Sequence, residues 1–447
     1  MTQIFALHSA YGLATVAAAI DAGLVDADAE RILVPFVSSR VPETAVGIAD
    51  EPALRSLRDR FDRVERLEDI LGPLHPSAWE PADADLPMLE RLISRAWSLD
   101  TADLEVLVQS PQVAPARTLM SLFSRARITI IGDGLMTYSP MRVQLPHAVS
   151  ARIQGVVYAD VVPGVRPLVA SPAAVVVPVP PASFAAVLSE TDTGELLSLA
   201  DGAPTVLVLG QYLSALGLVT PDAEIDLQKQ LIDRAVRWSP QRIVFKPHPA
   251  APPLLTAALR ERAIAKGTDF VEYHGPLAAE LLAERIDAVA VVAGFSTALP
   301  TVNTLFGRAI GSAGCSTVLA ALTPFENSNR IPVTLVDALT RDDSPYASPA
   351  QLQLLVDAVG YAMQPEIAGH LRDRAEEFLR GIEPEERHRY FTPRRLADLR
   401  LPGAPRDSVA RQILRPAGGV GRIEEWRLTA LGARRRAERA WRAIRGR

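Results

Sequence analysis

The chain has 447 residues, 48% hydrophobic and 22% charged. This is a globular composition with more residues than one core ordinarily serves, so two domains of roughly 150–200 residues are expected. A net charge of −5 excludes the molecule as a whole as an electrostatic partner of nucleic acid, and a single cysteine, Cys315, excludes an intramolecular disulfide.

The opening Met-Thr-Gln-Ile-Phe-Ala-Leu has no basic residue ahead of its apolar run, unlike a secretory signal. No stretch reaches the roughly 18 apolar residues that span a bilayer. A cytoplasmic protein is expected, free or attached to the inner face of the membrane. The run from Ile4 to Leu7 reads as a strand, followed by a turn with His8, Ser9 and Gly12 and an alanine-rich helix to Gly23. Further short apolar runs follow at Arg31–Val37, Glu105–Val108 and Arg127–Ile131, each between helix-like stretches. Such alternation argues for a parallel, doubly wound sheet.

Six prolines lie between Pro163 and Pro181, a density that predicts a linker. The alternation then restarts with strands expected at Thr205–Leu209, Arg242–Phe245, Phe270–Tyr273 and Ala288–Val292, and a long helix from about Asp222 to Trp238. The organisation expected is an N-terminal Rossmann-like domain over 1–180, a C-terminal one over 181–400, and a basic tail over 401–447. Two such α/β domains face a cleft, with ligands beyond the carboxyl ends of the strands.

Three short motifs follow directly on expected strands. Gly132-Asp133-Gly134 sets a carboxylate between glycines, where it can approach a sugar hydroxyl and take its proton, although Asp-Gly is also ordinary turn chemistry. Lys246-Pro247-His248-Pro249 aims an imidazole between two prolines, placing a proton donor beside a departing phosphate or simply capping a rigid turn. Gly294-Phe295-Ser296-Thr297 opens a helix, where a serine caps and exposed amides bind phosphate.

In this order and spacing the three resemble the acidic-acidic-Gly, HP and S-(S/T) motifs of bacterial sialyltransferases. The text around them is similar to the polysialyltransferase family: Val208-Leu-Gly-Gln-Tyr212, Phe245-Lys-Pro-His-Pro249, Ala279-Glu-Leu-Leu282 and Gly294-Phe-Ser-Thr-Ala-Leu299. The likeness runs from about Ile4 to Leu339. It implies a GT-B fold, a CMP-sialic acid donor, a glycan acceptor of a capsule or other cell-surface polysaccharide, inversion at the anomeric carbon, and no metal or other cofactor. Asp133 matches the general base and His248 the group assisting CMP departure, while Ser296 and Thr297 match the phosphate holders. Glu280, Gly210 and Gln211 fall where such enzymes contact the nucleotide, and Ser9, Gly134, Lys246, Pro249 and Gly294 complete the expected set. The chain departs from the family pattern at the first acidic position, which is Gly132. That departure keeps open another CMP-linked acidic sugar as donor. A non-catalytic nucleotide-sugar-binding scaffold of envelope glycan assembly is the reading from a different class.

CMP is a monophosphate leaving group, which a histidine, two hydroxyls and helix amides can stabilise without a divalent ion. The other histidines, His147 and His274 among them, are expected to be structural, with His8 a partial exception placed beside Ser9 where it can touch donor or acceptor, and Asn327-Ser-Asn-Arg330 is expected to be a polar loop bordering the cleft. From Arg422 to Arg447 nine arginines stand against three acids, interspersed with Trp426 and Trp441. That composition suits a basic helix lying on an anionic bilayer surface, or equally a solvated tail.

Overall fold

The computed structural model describes residues 1–405 except 38–46, 170, 195–198, 212, 215–216, 218 and 249–252. The basic tail from 406, Pro249, and Ser38 and Ser39 lie outside the described residues. Among the described residues, no helix is long and apolar enough to cross a membrane.

Seven strands form the first sheet: β1 (Thr2–Leu7), β2 (Glu30–Pro35), β3 (Arg63–Val64), β4 (Leu104–Gln109), β5 (Arg127–Ile131), β6 (Ile153–Ala159) and β7 (Val175–Val179). Their order is β3-β2-β1-β4-β5-β6-β7, and every pairing is parallel. The second sheet contains β8 (Thr205–Leu209), β9 (Arg242–Lys246), β10 (Asp269–Glu272), β11 (Ala290–Ala293) and β12 (Ala309–Ser312). Its order is β10-β9-β8-β11-β12, again all parallel. Both orders reverse direction once, between β1 and β4 and between β8 and β11. Those two switch points are where a doubly wound sheet leaves a crevice beyond its strand ends. The architecture is GT-B, with two Rossmann-like sheets.

The central strands are buried on both faces, which is why they read as continuous apolar runs rather than alternating ones. Ile4, Phe5, Ala6 and Leu7 of β1 are fully buried, as are Val206, Leu207 and Val208 of β8. Between β1 and β2, helix α1 (Ala10–Asp21) starts at Ser9, whose Oγ accepts from the Gly12 N–H. It stops at Gly23, which takes the left-handed φ of 67° that ends helices. In the second half, helix Pro221–Ala235 packs Leu231, Ile232 and Ala235 against Val206, Ile243, Phe245 and Val292. Burying a side chain such as Phe245 contributes about 2 kcal/mol.

The proline-rich stretch expected to be only a linker contains β7. Pro178 pairs across from Tyr158 on the outermost strand, where its missing N–H interrupts no second ladder. Compact units divide at Phe378/Leu379, so both sheets lie in one unit, Met1–Phe378. The second unit begins at Leu379 and contains the helices Pro384–Tyr390 and Pro393–Leu399. It is tied internally by Arg387 donating to the carbonyls of Leu379 and Ile382 at 2.9 and 3.1 Å.

Candidate functional site

At the first switch point, β1 runs into His8 and Ser9, β4 ends in Gln109, and β5 runs into Gly132-Asp133-Gly134. Gln109 is completely buried, and its Nε2 donates to Ser9 Oγ at 2.7 Å and to Asp133 Oδ1 at 3.1 Å. Its Oε1 accepts from the backbone N–H groups of His8 and Ser9 at 3.2 and 3.3 Å. The Asp133 backbone is pinned in turn by its N–H donating to Thr137 Oγ1 at 2.7 Å. His8 Nε2 lies 3.0 Å from Ser110 Oγ. Burial lowers the His8 imidazole below its ordinary range, opposed by the neighbouring Asp133 charge.

The glycines flanking Asp133 have different reasons. A Cβ at Gly132 would lie 2.5 Å from Tyr158 Cβ and 2.8 Å from Thr137 Oγ1, so an acidic side chain cannot occupy that position without moving its neighbours. Its neighbours in this structure are packed for a glycine at that position. Gly134 takes φ +52°, and a Cβ there would come within 2.6 Å of Thr297 Cγ2. The next N–H, of Leu135, donates to Thr297 Oγ1 at 3.4 Å. The turn carrying Asp133 thus closes directly onto the Ser296-Thr297 motif of the other sheet. Two more bonds join the halves: Ser139 Oγ donates to the Ser328 carbonyl at 3.3 Å, and Thr304 Oγ1 to the Val161 carbonyl at 2.9 Å.

At the second switch point, Gln211 follows β8 and bonds both backbone groups of Phe295 after β11, accepting from its N–H at 3.1 Å and donating to its carbonyl at 2.9 Å. Gly294 makes this possible, because a Cβ there would sit 2.1 Å from Gln211 Oε1. Gly210 similarly leaves room for the Phe245 ring and the backbone of His248, whose N would lie 3.1 Å from an added Cβ. Ser296 Oγ accepts from the Ala298 N–H at 3.2 Å, at the start of helix Ala298–Phe306. Lys246 sends its Nζ to the Gly275 carbonyl at 3.0 Å and lies over the Tyr273 ring. Glu280 stands in the first turn of helix Ala279–Arg285. Burial raises its carboxyl above the usual range, with Lys246 acting the other way. Tyr11 of α1 is pushed above the ordinary phenol range by burial first and by the Glu280 charge second.

Of the expected residues, the structure gathers Ser9, Asp133, Gly134 and Thr297 through one chain of contacts. It gathers Gly210, Gln211, Gly294 and the His248 backbone through another. Pro249 lies outside the described residues. Sequence reasoning missed Gln109 and the buried Glu224, whose carboxylate accepts from Leu213 N, Ser214 N and Ser214 Oγ at 2.6, 3.0 and 2.5 Å. The available signal for Gln109 was a polar residue closing the apolar run of β4. Arg330, expected in a polar loop, instead opens the helix Arg330–Thr340, where it is buried and donates to the carbonyls of Phe325, Leu319 and Leu322, a structural use.

Residues 3–309 match the family model described as alpha-2,8-polysialyltransferase (POLYST). No curated protein matches the chain. Among solved structures it is similar to MnaA of S. aureus in complex with UDP, at 12% identity and TM-score 0.41 over 80% of this chain and 95% of that one. It is also similar to the GT-B domain of a sialyltransferase from Photobacterium damselae, at 11% identity and TM-score 0.38 over 75% and 96%. A UDP-glucosyltransferase from Polygonum tinctorium gives 14% identity and TM-score 0.41 over 84% and 98%.

Proposed function

Because the chain belongs to the alpha-2,8-polysialyltransferase family, and so is a glycosyltransferase, we propose that it moves sialic acid from CMP-sialic acid to a glycan hydroxyl with inversion. The observation that supports this reading is the contact of Gly134 and the Leu135 N–H, directly after Asp133, with Thr297 of the other sheet. In the proposed step, Asp133 takes the proton of the acceptor hydroxyl as that oxygen attacks the anomeric carbon. The bond from that carbon to the CMP phosphate oxygen breaks on the opposite face, and the electron pair leaves with CMP. His248 donates to the departing phosphate, while Ser296, Thr297 and the first amides of helix Ala298–Phe306 hold it. Gly210, Gln211, Gly294 and Glu280 line the nucleotide side, and Ser9, Gly134 and Lys246 support the two turns.

No metal or other cofactor takes part in this scheme, since hydrogen-bond donors suffice for a monophosphate leaving group. We assign 1–180 to the acceptor side and 181–400 to the donor side. The arginines and tryptophans of 401–447 support attachment to the inner, anionic membrane face, close to a growing surface glycan.

The deciding experiment is Asp133→Asn assayed with CMP-sialic acid and glycan acceptors in chelator. Transfer should drop at least about 100-fold while CMP binding persists. Undiminished transfer by the variant would rule out this base, and dependence of the native enzyme on added metal would rule out the metal-free scheme. CMP release compared across CMP-sugars decides the donor.

A further inference from the structure

We infer that Gln109 is a positioning residue that sets the Asp133 carboxylate for proton abstraction, an inference that rests on reading Asp133 as the base. A primary amide has two N–H donors and an oxygen with two acceptor sites. In Gln109 all four are used: the donors on Ser9 Oγ and Asp133 Oδ1, the acceptor on the N–H groups of His8 and Ser9. Turning the amide over would set its oxygen against the carboxylate and its NH₂ against two N–H groups. Only one orientation is therefore compatible with its surroundings.

The amide is also held sterically. A Cβ on Gly12 would lie 2.5 Å from its Oε1, 2.7 Å from Cδ and 2.9 Å from Nε2, so the first turn of α1 closes directly over it. Ser9, which takes one amide proton, is itself fixed as the cap of α1 by the Gly12 N–H at 3.0 Å. The end of β1, the start of α1 and the end of β4 are thereby locked around one side chain, whose remaining donor is spent on Asp133. Asp133 Oδ2 takes no hydrogen bond among the described residues, which leaves that oxygen for an acceptor hydroxyl.

The chemistry explains an amide in this place. A lysine or arginine would orient the carboxylate by charge and weaken its pull on a proton, whereas a neutral donor orients it and leaves that pull largely intact. Proton abstraction depends steeply on such placement, and a shift of about 1 Å costs up to about 100-fold in rate.

Gln109→Glu tests this in the full chain, because the substituted side chain keeps its shape and the two acceptor contacts, but faces Asp133 with an oxygen. We expect kcat to fall between about tenfold and 100-fold, with KM for CMP-sialic acid and for acceptor within about twofold of the native values. In an Asp133→Asn background the same change should lower the residual rate no further, since a residue acting through Asp133 has nothing left to position. Native kcat in Gln109→Glu, or an equal loss in both backgrounds, overturns the inference. If Asp133→Asn alone transfers normally, it is the base reading that fails; if Asp133→Asn is inactive and Gln109→Glu is not, only the positioning role is lost. Should Gln109→Glu fail to fold, Gly12→Ala displaces the amide from the α1 side and should give the same split between kcat and KM.

Discussion

Each sheet closes its switch point with a glutamine facing a glycine, and the two glutamines are used differently. Gln109, at the end of β4, accepts from the backbone beyond β1 and sends both donors to side chains, one of them the Asp133 carboxylate. Gln211, beyond β8, spends its oxygen and one donor on the two backbone groups of Phe295. Gly12 opens the first site and Gly294 the second, with added Cβ atoms falling 2.5 and 2.1 Å from the respective Oε1. The front crevice thus holds a charged side chain through Gln109, and the rear one fixes the backbone of Phe295 through Gln211. In the proposed scheme the base belongs to the first, and the donor with its leaving-group assistance to the second.

The largest test of that division lies in the rear half. Glu224 is 1% exposed and carries the loop after β8 on three hydrogen bonds. Glu224→Ala leaves the Leu213 and Ser214 N–H groups unpaired, at a cost of about 3 kcal/mol in stability, measured by denaturant unfolding. Donor KM should rise with it. If kcat fell alone, the proposed role of this loop in holding the donor would be wrong.

Gly294→Ala comes next. The new methyl displaces Gln211 from Phe295, with an overpacking cost of about 2 kcal/mol and a weaker hold on the donor, read by titrating CMP. Gly12→Ala meets similar crowding but should act on kcat. The same kinetic signature from both alanines would erase the distinction between the two crevices.

Glu280→Gln gives the smallest effect, in the stabilising direction. A carboxyl raised by burial binds its proton more readily folded than unfolded, so its ionisation opposes folding above the unfolded range, near pH 4.3. The amide removes that penalty. The unfolding temperature should rise at pH 7, and the gain should vanish toward pH 4, where the native group is protonated in both states. A gain in stability accompanied by weaker CMP binding would mark Glu280 as a residue retained for the nucleotide rather than for the fold.

What the amino-acid sequence determined by itself was local. Apolar runs bounded by turns located β1, β4, β5, β8, β9 and β11, because a strand buried on both faces writes its signature in consecutive residues. The three motifs stood at strand ends for the same reason, and their order pointed to the family. Other features needed the tertiary structure. Pro178 reads as a strand breaker until β7 is seen at the sheet edge, where its missing N–H disrupts no second partner. Gly132 reads as a damaged motif until Tyr158 is found against it. The bonds that define the site join residues far apart in the chain, 24 positions between Gln109 and Asp133 and 162 between Leu135 and Thr297. No periodicity records such pairs; they exist only because the strand order brings the ends of β1, β4 and β5 together and turns the second sheet toward them.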